Sequence, residues 1–354
     1  MSARIFAACL AAALLLGCSI HPVPEDVTGV NTYHIVRQIR CEAREAIKSV
    51  VLERLDALAR HDDKIAQDVL QRYQDDPESI ADFTPAVFRG PQYEAVRHAF
   101  NVIYSAAIAY NFDLTMTEDN NLGTTINTIG PWTQRFNLGL GGNANRQRSN
   151  ERTFTISDTF DFLMRTLNRP GQVRKQRYCE GFIVTQANYV YPIAGRIGVD
   201  KSVRTFLELT YFGNLAGDKD NPGGSNAPNM ADKLTFTTTL DATATPMVTF
   251  TPVSAGFQVA DASITGTARR SDVHQVTIGL AILPSSVTEV AAIRSYVFSR
   301  EVGVPAVASR NATTGAPITV GNRVTAVTTT LAEKYAVWAI DQLKSRELQL
   351  IPAR

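Results

Sequence analysis

The feature that most constrains the fold is a change in the spacing of apolar residues about a third of the way along the chain. Before residue 104 the apolar residues recur every three or four positions, which is typical of helices. After it they alternate with polar residues, beginning with Tyr110, Phe112, Leu114 and Met116. Because successive side chains of a strand point to opposite faces, this alternation predicts a sheet with one apolar face.

The N-terminal third predicts three helices. The first spans about 33–59, and Asn31 or Thr32 can cap its start. A short second helix ends near Pro77, and a third begins at Pro91, since proline is well tolerated in the first turn of a helix. The sheet therefore follows a helical segment.

The strands are predicted from residue 104 onward. Residues 104–163 predict an antiparallel meander whose even-numbered residues face inward. Within it, the polar, glycine-rich stretch 141–150 is expected to be a flexible hairpin loop. Residues 178–191 predict another strand, a helix follows from about Asp200, and residues 213–232 are expected to be a long polar loop.

The C-terminal part predicts short strands between 234 and 282 and then two helices. Each helix begins with a capping box, at Ser286–Glu289 and at Thr330–Glu333. The stripe expected to face inward on the last helix consists of Leu331, Tyr335, Trp338 and Leu343. The order of elements indicates the α+β class, with N-terminal helices, a largely antiparallel β-sheet in the middle and C-terminal helices. We treat 28–354 as a single α+β domain, with a division near residue 104 as the alternative.

The N-terminus predicts a signal for export. Arg4 is the only charge ahead of an apolar or small run from Ile5 to Leu16, which is too short to cross a membrane as a helix. The run ends in Leu15-Leu16-Gly17-Cys18. This ending resembles the lipobox of bacterial lipoproteins, in which the chain is cut before the cysteine and its thiol receives a diacylglycerol. The resemblance implies a signal peptide at 1–17 and lipid attachment at Cys18.

The resemblance covers only this targeting signal, and it implies a place in the cell envelope, held to the membrane by a lipid anchor. Ser19 follows the cysteine, whereas Asp there tends to retain lipoproteins in the inner membrane, so we expect the periplasmic face of the outer membrane. Residues 18–27 contain Pro22 and Pro24 and are expected to form an extended, lipidated tether. The alternative is a buried N-terminal helix that carries a cysteine by chance.

Composition supports a folded body without a strongly charged partner. Apolar residues make up 44% of the chain and charged residues 19%, which is enough to fill a core. The formal net charge is +1, and Arg4 leaves with the signal peptide. The mature chain is therefore about neutral, and its overall charge gives no case for binding nucleic acid.

The four cysteines have separate expected roles. Cys9 leaves with the signal peptide and Cys18 carries the lipid, so Cys41 and Cys179 remain in an oxidising periplasm. One hypothesis is a disulfide that ties the N-terminal helix to the central sheet. The other is two separate buried thiols, because free cysteine packs well in a core.

No motif predicts a catalytic residue, a cofactor or a metal site. Gly139–Ala144 fits a loose dinucleotide-binding pattern, but it leads into a strand rather than a helix. Asp218–Asn221 begins like a calcium loop, but no carboxylate follows at the twelfth position. The histidines form no short metal-binding pair in the sequence; they are His21, His34, His61, His98 and His274.

One cluster of positive charge supports two interpretations. It consists of Arg165, Arg169, Arg174, Lys175 and Arg177. One interpretation is a patch that contacts anionic lipid headgroups or lipopolysaccharide phosphates near the anchor. The other, which we favour, is a solvated linker balanced in part by nearby carboxylates at Asp158, Asp161 and Glu180.

Two functions from different classes fit these observations. The first is a non-enzymatic scaffold or accessory component of a protein complex in the cell envelope. The second is a periplasmic enzyme, or a protein that binds a small ligand or glycan, with a cleft between the helices and the sheet. The long loop 213–232 could then serve as a lid.

Overall fold

The computed structural model describes residues 21–129, 137–170, 176–217, 227–249, 258–302 and 330–349. Its helices are α1 (Glu25–Thr28), α2 (Thr32–Ala59), α3 (Lys64–Asp75), α4 (Glu94–Ser105), α5 (Phe160–Arg165), α6 (Val199–Tyr211), α7 (Val287–Val302) and α8 (Leu331–Gln349). Its strands are β1 (Ala106–Ile129), β2 (Asn137–Thr159), β3 (Asn229–Ala244), β4 (Met247–Thr249) and β5 (Gln258–Ile282). The predicted α+β class, with helices on either side of an antiparallel sheet in the chain order, is confirmed.

The strands form one antiparallel sheet in the order β2-β1-β5-β3, and the short β4 also pairs with β5. The strand β1 has 24 residues and β5 has 25, so each spans about 80 Å at ~3.3 Å per residue. As far as Asn127 of β1, even-numbered residues pair with even-numbered residues; Phe112, for example, pairs with Phe154 of β2 and Val276 of β5. At Thr128 the register of β1 against β5 shifts by one residue. The sheet therefore has a continuous even face and a continuous odd face.

The helices that the structure describes cover one end of this long sheet. The even face of that end packs under α2, α4, α5 and α6 in one hydrophobic core, and the even-numbered residues from Ile108 to Met116 are fully buried there. The odd face of the same end is covered by α8. The predicted inward parity of β1 is therefore confirmed, and its covered end is buried on both faces.

The central helix α2 is joined to the rest of the covered end by polar and covalent links. Arg40 donates two hydrogen bonds to the carboxylate of Asp158 at the end of β2, at 2.8 and 2.6 Å. Glu42 accepts hydrogen bonds from three successive backbone N–H groups at the start of α6, two just before the helix and that of Val199 at 2.9 Å. Cys41 and Cys179 form a disulfide with 5.6 Å between their α-carbons.

Two local predictions are wrong for reasons of tertiary context. Residues 141–150 belong to β2 and pair with β1 along their whole length, because the long partner strand outweighs the weak strand preference of glycine and asparagine. Residues 178–191 form turns rather than a strand. There Gly181 adopts a φ of 77°, and the Tyr178 carbonyl accepts a hydrogen bond from Arg37 of α2 instead of from a neighbouring strand.

The face that α8 buries also differs from the prediction. Leu331 is 56% exposed, and the residues buried against the sheet are Ala332, Ala336, Ala339 and Ile340. The cause is a close approach between helix and sheet: a Cβ added at Gly279 of β5 would lie 2.0 Å from the Ala336 carbonyl oxygen. Only small side chains fit at this distance.

Candidate functional site

Beyond Met116 the sheet continues past its helical layers. We call this part the projecting sheet; it consists of residues 117–129, 137–149, 239–249 and 258–271. On β1 it adds about 40 Å to the covered end, at ~3.3 Å per residue. No helix among the described residues covers either of its faces, so its side chains are largely exposed or half-buried.

The even face of the projecting sheet is mainly apolar, and its polar members include Asn120 and Arg146 near the covered end and Thr124 farther out. Six of its large apolar side chains are between 40 and 56% exposed: Leu122, Ile126, Leu140, Leu240, Val248 and Ile264. Alanine and glycine occupy many of the places between them, as at Ala262 and Gly142. The face that is buried under helices at the covered end thus continues here as an uncovered apolar surface.

The odd face of the projecting sheet is polar. Apart from Met247, the odd-numbered residues of its strands are mostly Asn, Thr, Ser, Asp and Gly. An open cavity of about 580 Å³ lies along it, and its lining includes Asp119, Asn145, Asp241, Thr267 and Arg269. The projecting sheet is therefore amphipathic across its thickness, with alternate residues of each strand contributing to opposite faces.

A row of charged side chains marks the boundary between the two ends of the sheet on the even face. Glu118 accepts hydrogen bonds from Arg148 at 2.9 Å and from Arg270 at 3.2 Å. Arg270 also contacts the carboxylate of Asp272, 3.0 Å from its Nε atom. Asn120 and Arg146 pair next to this row, and the apolar surface of the projecting sheet begins beyond them at Leu122.

The N-terminal segment docks at the same boundary. Arg270 donates to the Val23 carbonyl at 2.6 Å, and Asn150 donates to the Pro22 carbonyl at 3.0 Å. Pro22 is buried, and the segment continues into the short helix α1. Residues 22–27 therefore differ from the predicted extended tether, because their carbonyl groups find donors on the sheet.

A buried polar cluster lies next to this boundary, inside the covered end. The Tyr191 hydroxyl donates to Asp272 at 2.9 Å and lies 2.5 Å from Nε2 of His274. The Tyr191 hydroxyl has one proton, which it donates to Asp272, so the neutral imidazole of His274 must donate to this hydroxyl from Nε2. The Nδ1 atom of His274 has no hydrogen-bond partner in the described residues. Burial lowers the pKa of His274 to about 4. The cluster is closed to solvent and holds the sheet to the 178–191 segment.

The residues predicted to carry function are only partly brought together. Cys18 and the signal peptide lie outside the described residues, as do Arg174 and Lys175 of the basic cluster. The other three members are each paired with a carboxylate: Arg165 with Asp161, Arg169 with Asp82 and Arg177 with Glu78. Of the carboxylates that the sequence offered as balance, Asp161 is among these partners, whereas Asp158 pairs with Arg40 of α2.

Two smaller cavities bear on the enzyme alternative. One of about 280 Å³ lies beside α8 and the sheet, where Lys344 and Asp113 are paired at 2.8 Å. The other, of about 190 Å³, includes the buried Arg44 and its partner Glu78. Neither lining contains a histidine, cysteine or serine. The described residues also contain no group of three or more His, Cys, Asp or Glu side chains placed to hold a metal ion.

Comparison with known proteins places the chain in a family. A family model described as "Uncharacterised protein y4kA" matches residues 21–291. The chain belongs to the Y4kA family. A relative, "Uncharacterized protein y4kA" of Sinorhizobium fredii (strain NBRC 101917 / NGR234), is 35% identical over 276 residues, which cover 77% of this chain and 80% of the relative. The region matched by the Y4kA model contains the docked N-terminal segment and all the strands of the projecting sheet.

The amphipathic projecting sheet was missed by the sequence analysis, although a signal for it is present. Leu122 and Ile126 stand among Thr, Asn and Gly with even spacing, and Leu140 and Ile264 do the same on their strands. The signal is weak because large apolar residues occupy only some of the even positions.

The described helices include none that is long and apolar enough to span a membrane.

Proposed function

We propose that this protein is a lipid-anchored component of the bacterial cell envelope, acylated at Cys18, whose projecting sheet enters the same bilayer with its even face towards lipid. The helix-covered end then serves as a non-enzymatic scaffold next to the membrane surface. Ser19 favours the outer membrane as the location. The observation that carries the proposal is the position of the docked N-terminal segment.

That position links the anchor to the apolar surface. Pro22 is held at the boundary where the apolar face of the projecting sheet begins. Cys18 lies four positions before Pro22, and an extended chain of that length reaches at most about 14 Å. Acyl chains on Cys18 would therefore enter a bilayer close to the start of the apolar face, whatever path residues 18–21 follow.

The dimensions and chemistry of the projecting sheet also suit a bilayer. A tilted strand needs about 9–11 residues to cross the hydrocarbon core, and the projecting part of β1, from residue 117 to residue 129, meets this length. The charged row at Glu118, Arg148 and Arg270 would then lie at the headgroup level. In water, by contrast, the even face would leave six large apolar side chains exposed together.

Acylation is tested by labelling cells with a fatty-acid analogue. The wild-type chain is expected to take up the label and to fractionate with outer membranes, whereas Cys18→Ser should not take up the label. Because Cys9 leaves with the signal peptide, Cys9→Ser is the matched control and should behave as wild type. Labelling of the Cys18→Ser chain would refute the anchor.

Contact of the even face with lipid is tested separately by flotation with phosphatidylglycerol-containing vesicles, on a chain that begins at Ser19 and so carries neither the signal peptide nor the lipid. Ile264→Asp places a charge on the apolar face, and Thr265→Asp places the same charge on the polar face one residue away. We expect Ile264→Asp to lower the floated fraction at least tenfold and Thr265→Asp to leave it nearly unchanged. Equal behaviour of the two variants would refute lipid contact by this face.

A further inference from the structure

We propose that copies of this chain assemble in the membrane by pairing edge to edge, β2 of one copy with β3 of the next, so that their projecting sheets join into one closed sheet around a water-filled passage. This inference rests on the proposed function, because it places the even face in lipid. The occupant of each free edge is thus a second copy of this chain.

The need for a partner comes from the free edges of the sheet. Within the described residues, β2 pairs only with β1, and β3 pairs only with β5. Each strand therefore leaves one row of backbone N–H and C=O groups without a partner strand. Water can satisfy such groups, but hydrocarbon cannot, so a sheet in a bilayer is stable only when its edges are joined.

The strand directions determine which edges can meet. Neighbouring strands are antiparallel throughout β2, β1, β5 and β3, so the two edge strands run in opposite directions. Placing β3 of one copy beside β2 of the next therefore continues the antiparallel alternation. All copies keep the same orientation, with their helix-covered ends and their Cys18 anchors on one side of the membrane.

Pairing of identical edges does not achieve this. Two β2 edges can be antiparallel only if one copy is inverted, which would place the two helix-covered ends on opposite sides of the bilayer. If both copies have the same orientation, two β2 edges are parallel and break the pattern of the sheet. The contact that meets both conditions is head-to-tail, between the β2 edge of one copy and the β3 edge of the next. Repeated head-to-tail contacts form a ring when the rotation from each copy to the next adds up to a full turn.

The two faces then acquire different surroundings. The apolar even face points outward to lipid in every copy, and the polar odd face points inward. Thr125, Asn143 and Thr267 are among the side chains that would line the interior. The open cavity of about 580 Å³ would then form part of the passage. An interior lined by hydroxyl and amide groups suits the passage of water and small polar solutes.

Cysteine crosslinking tests the edge contact in the full-length lipidated chain, reconstituted in vesicles of phosphatidylcholine and phosphatidylglycerol. Thr239→Cys on β3 is combined in turn with a cysteine at one odd-numbered position of β2: Asn143, Asn145, Gln147 or Ser149. Oxidation of at least one combination should give a ladder of disulfide-linked species beyond the dimer. A control that combines Thr239→Cys with Asn121→Cys on the interior strand β1 should give no ladder.

The outcomes separate this inference from the proposed function. The single variants Thr239→Cys and Ser149→Cys should give few dimers, and efficient dimers from either one would show pairing of like edges and overturn the inference. The ladder should coincide with release of carboxyfluorescein from the vesicles. Protein whose even face contacts lipid but which gives no ladder and no release would overturn the assembly and leave the proposed function standing.

Discussion

The two ends of the sheet share the same strands and the same alternation, but they have different surroundings. Phe112 and Leu122 lie on the even face of β1; Phe112 is fully buried, and Leu122 is 40% exposed. Helices complete the core at the covered end, whereas no helix in the described ranges covers the apolar face of the projecting sheet. The comparison teaches that an alternating strand specifies which residues share a face, but not what covers that face.

The largest expected effect separates the two ends directly. Phe112→Asp should lower the free energy of unfolding by about 4 kcal/mol or more, because it leaves a cavity and an unpaired charge in the core. Leu122→Asp should change it by less than about 1 kcal/mol, since its side chain already meets solvent in the absence of lipid. Urea unfolding of both variants in detergent-free buffer measures the difference. Similar losses would mean that the projecting sheet has a core of its own.

The disulfide should matter only to the covered end. Cys41 and Cys179 are 138 residues apart, so replacing both with serine should lower the free energy of unfolding by about 3–4 kcal/mol. In a chain with both cysteines replaced by serine, Ile264→Asp should still float with vesicles much less than Thr265→Asp does. Free thiols in unreduced protein, measured by alkylation and mass spectrometry, would contradict the bond.

Glycines of β5 sharpen the comparison with a smaller change. Gly279→Ala should lower the free energy of unfolding by about 2–3 kcal/mol, because its Cβ would meet the Ala336 carbonyl oxygen of α8. In the projecting sheet, the nearest atom to a Cβ at Gly266 is 4.0 Å away. Gly266→Ala should therefore be neutral or slightly stabilising. Thermal unfolding of the pair provides the measurement, and equal losses would count against the close packing of α8.

The smallest expected effect concerns pH. Burial lowers the pKa of His274 to about 4 from the ordinary 6.5. Between pH 4 and pH 6.5 the imidazole is therefore protonated in the unfolded chain but neutral in the folded chain. Stability conferred by the neutral imidazole is therefore lost as the pH falls below 6.5. From pH 7 to 5.5 the wild type should lose about 1 kcal/mol more than His274→Gln. Parallel pH profiles for the two proteins would show that His274 titrates normally.

The sequence predicts elements well where local pattern and tertiary surroundings agree. The helix at Thr32–Ala59 and the inward parity of Phe112 and Leu114 follow from spacing alone. Residues 141–150 were predicted as a loop, because pairing with a long partner strand cannot be seen in their composition. The face that α8 buries depends on Gly279, which is distant in the chain.

The candidate site was the least predictable part for a related reason. Its apolar face is distributed over all five strands, with few large side chains on each, and only the register places Ile126 between Leu140 and Ala262. The docking of Pro22 beside Asn150 is likewise a contact between distant parts of the chain. Cys18 was predicted from its own local motif, but the nearness of that motif to the apolar face required the fold.

The central claim, that the even face of the projecting sheet meets lipid, is tested most directly by an environment-sensitive fluorophore on the reconstituted, lipidated chain. The label is attached through Ile264→Cys on the even face or through Thr265→Cys on the odd face. We predict a blue-shifted emission that lipid-borne nitroxides quench for the first label, and an emission quenched by aqueous iodide for the second. Quenching of both labels by iodide alone would contradict the account.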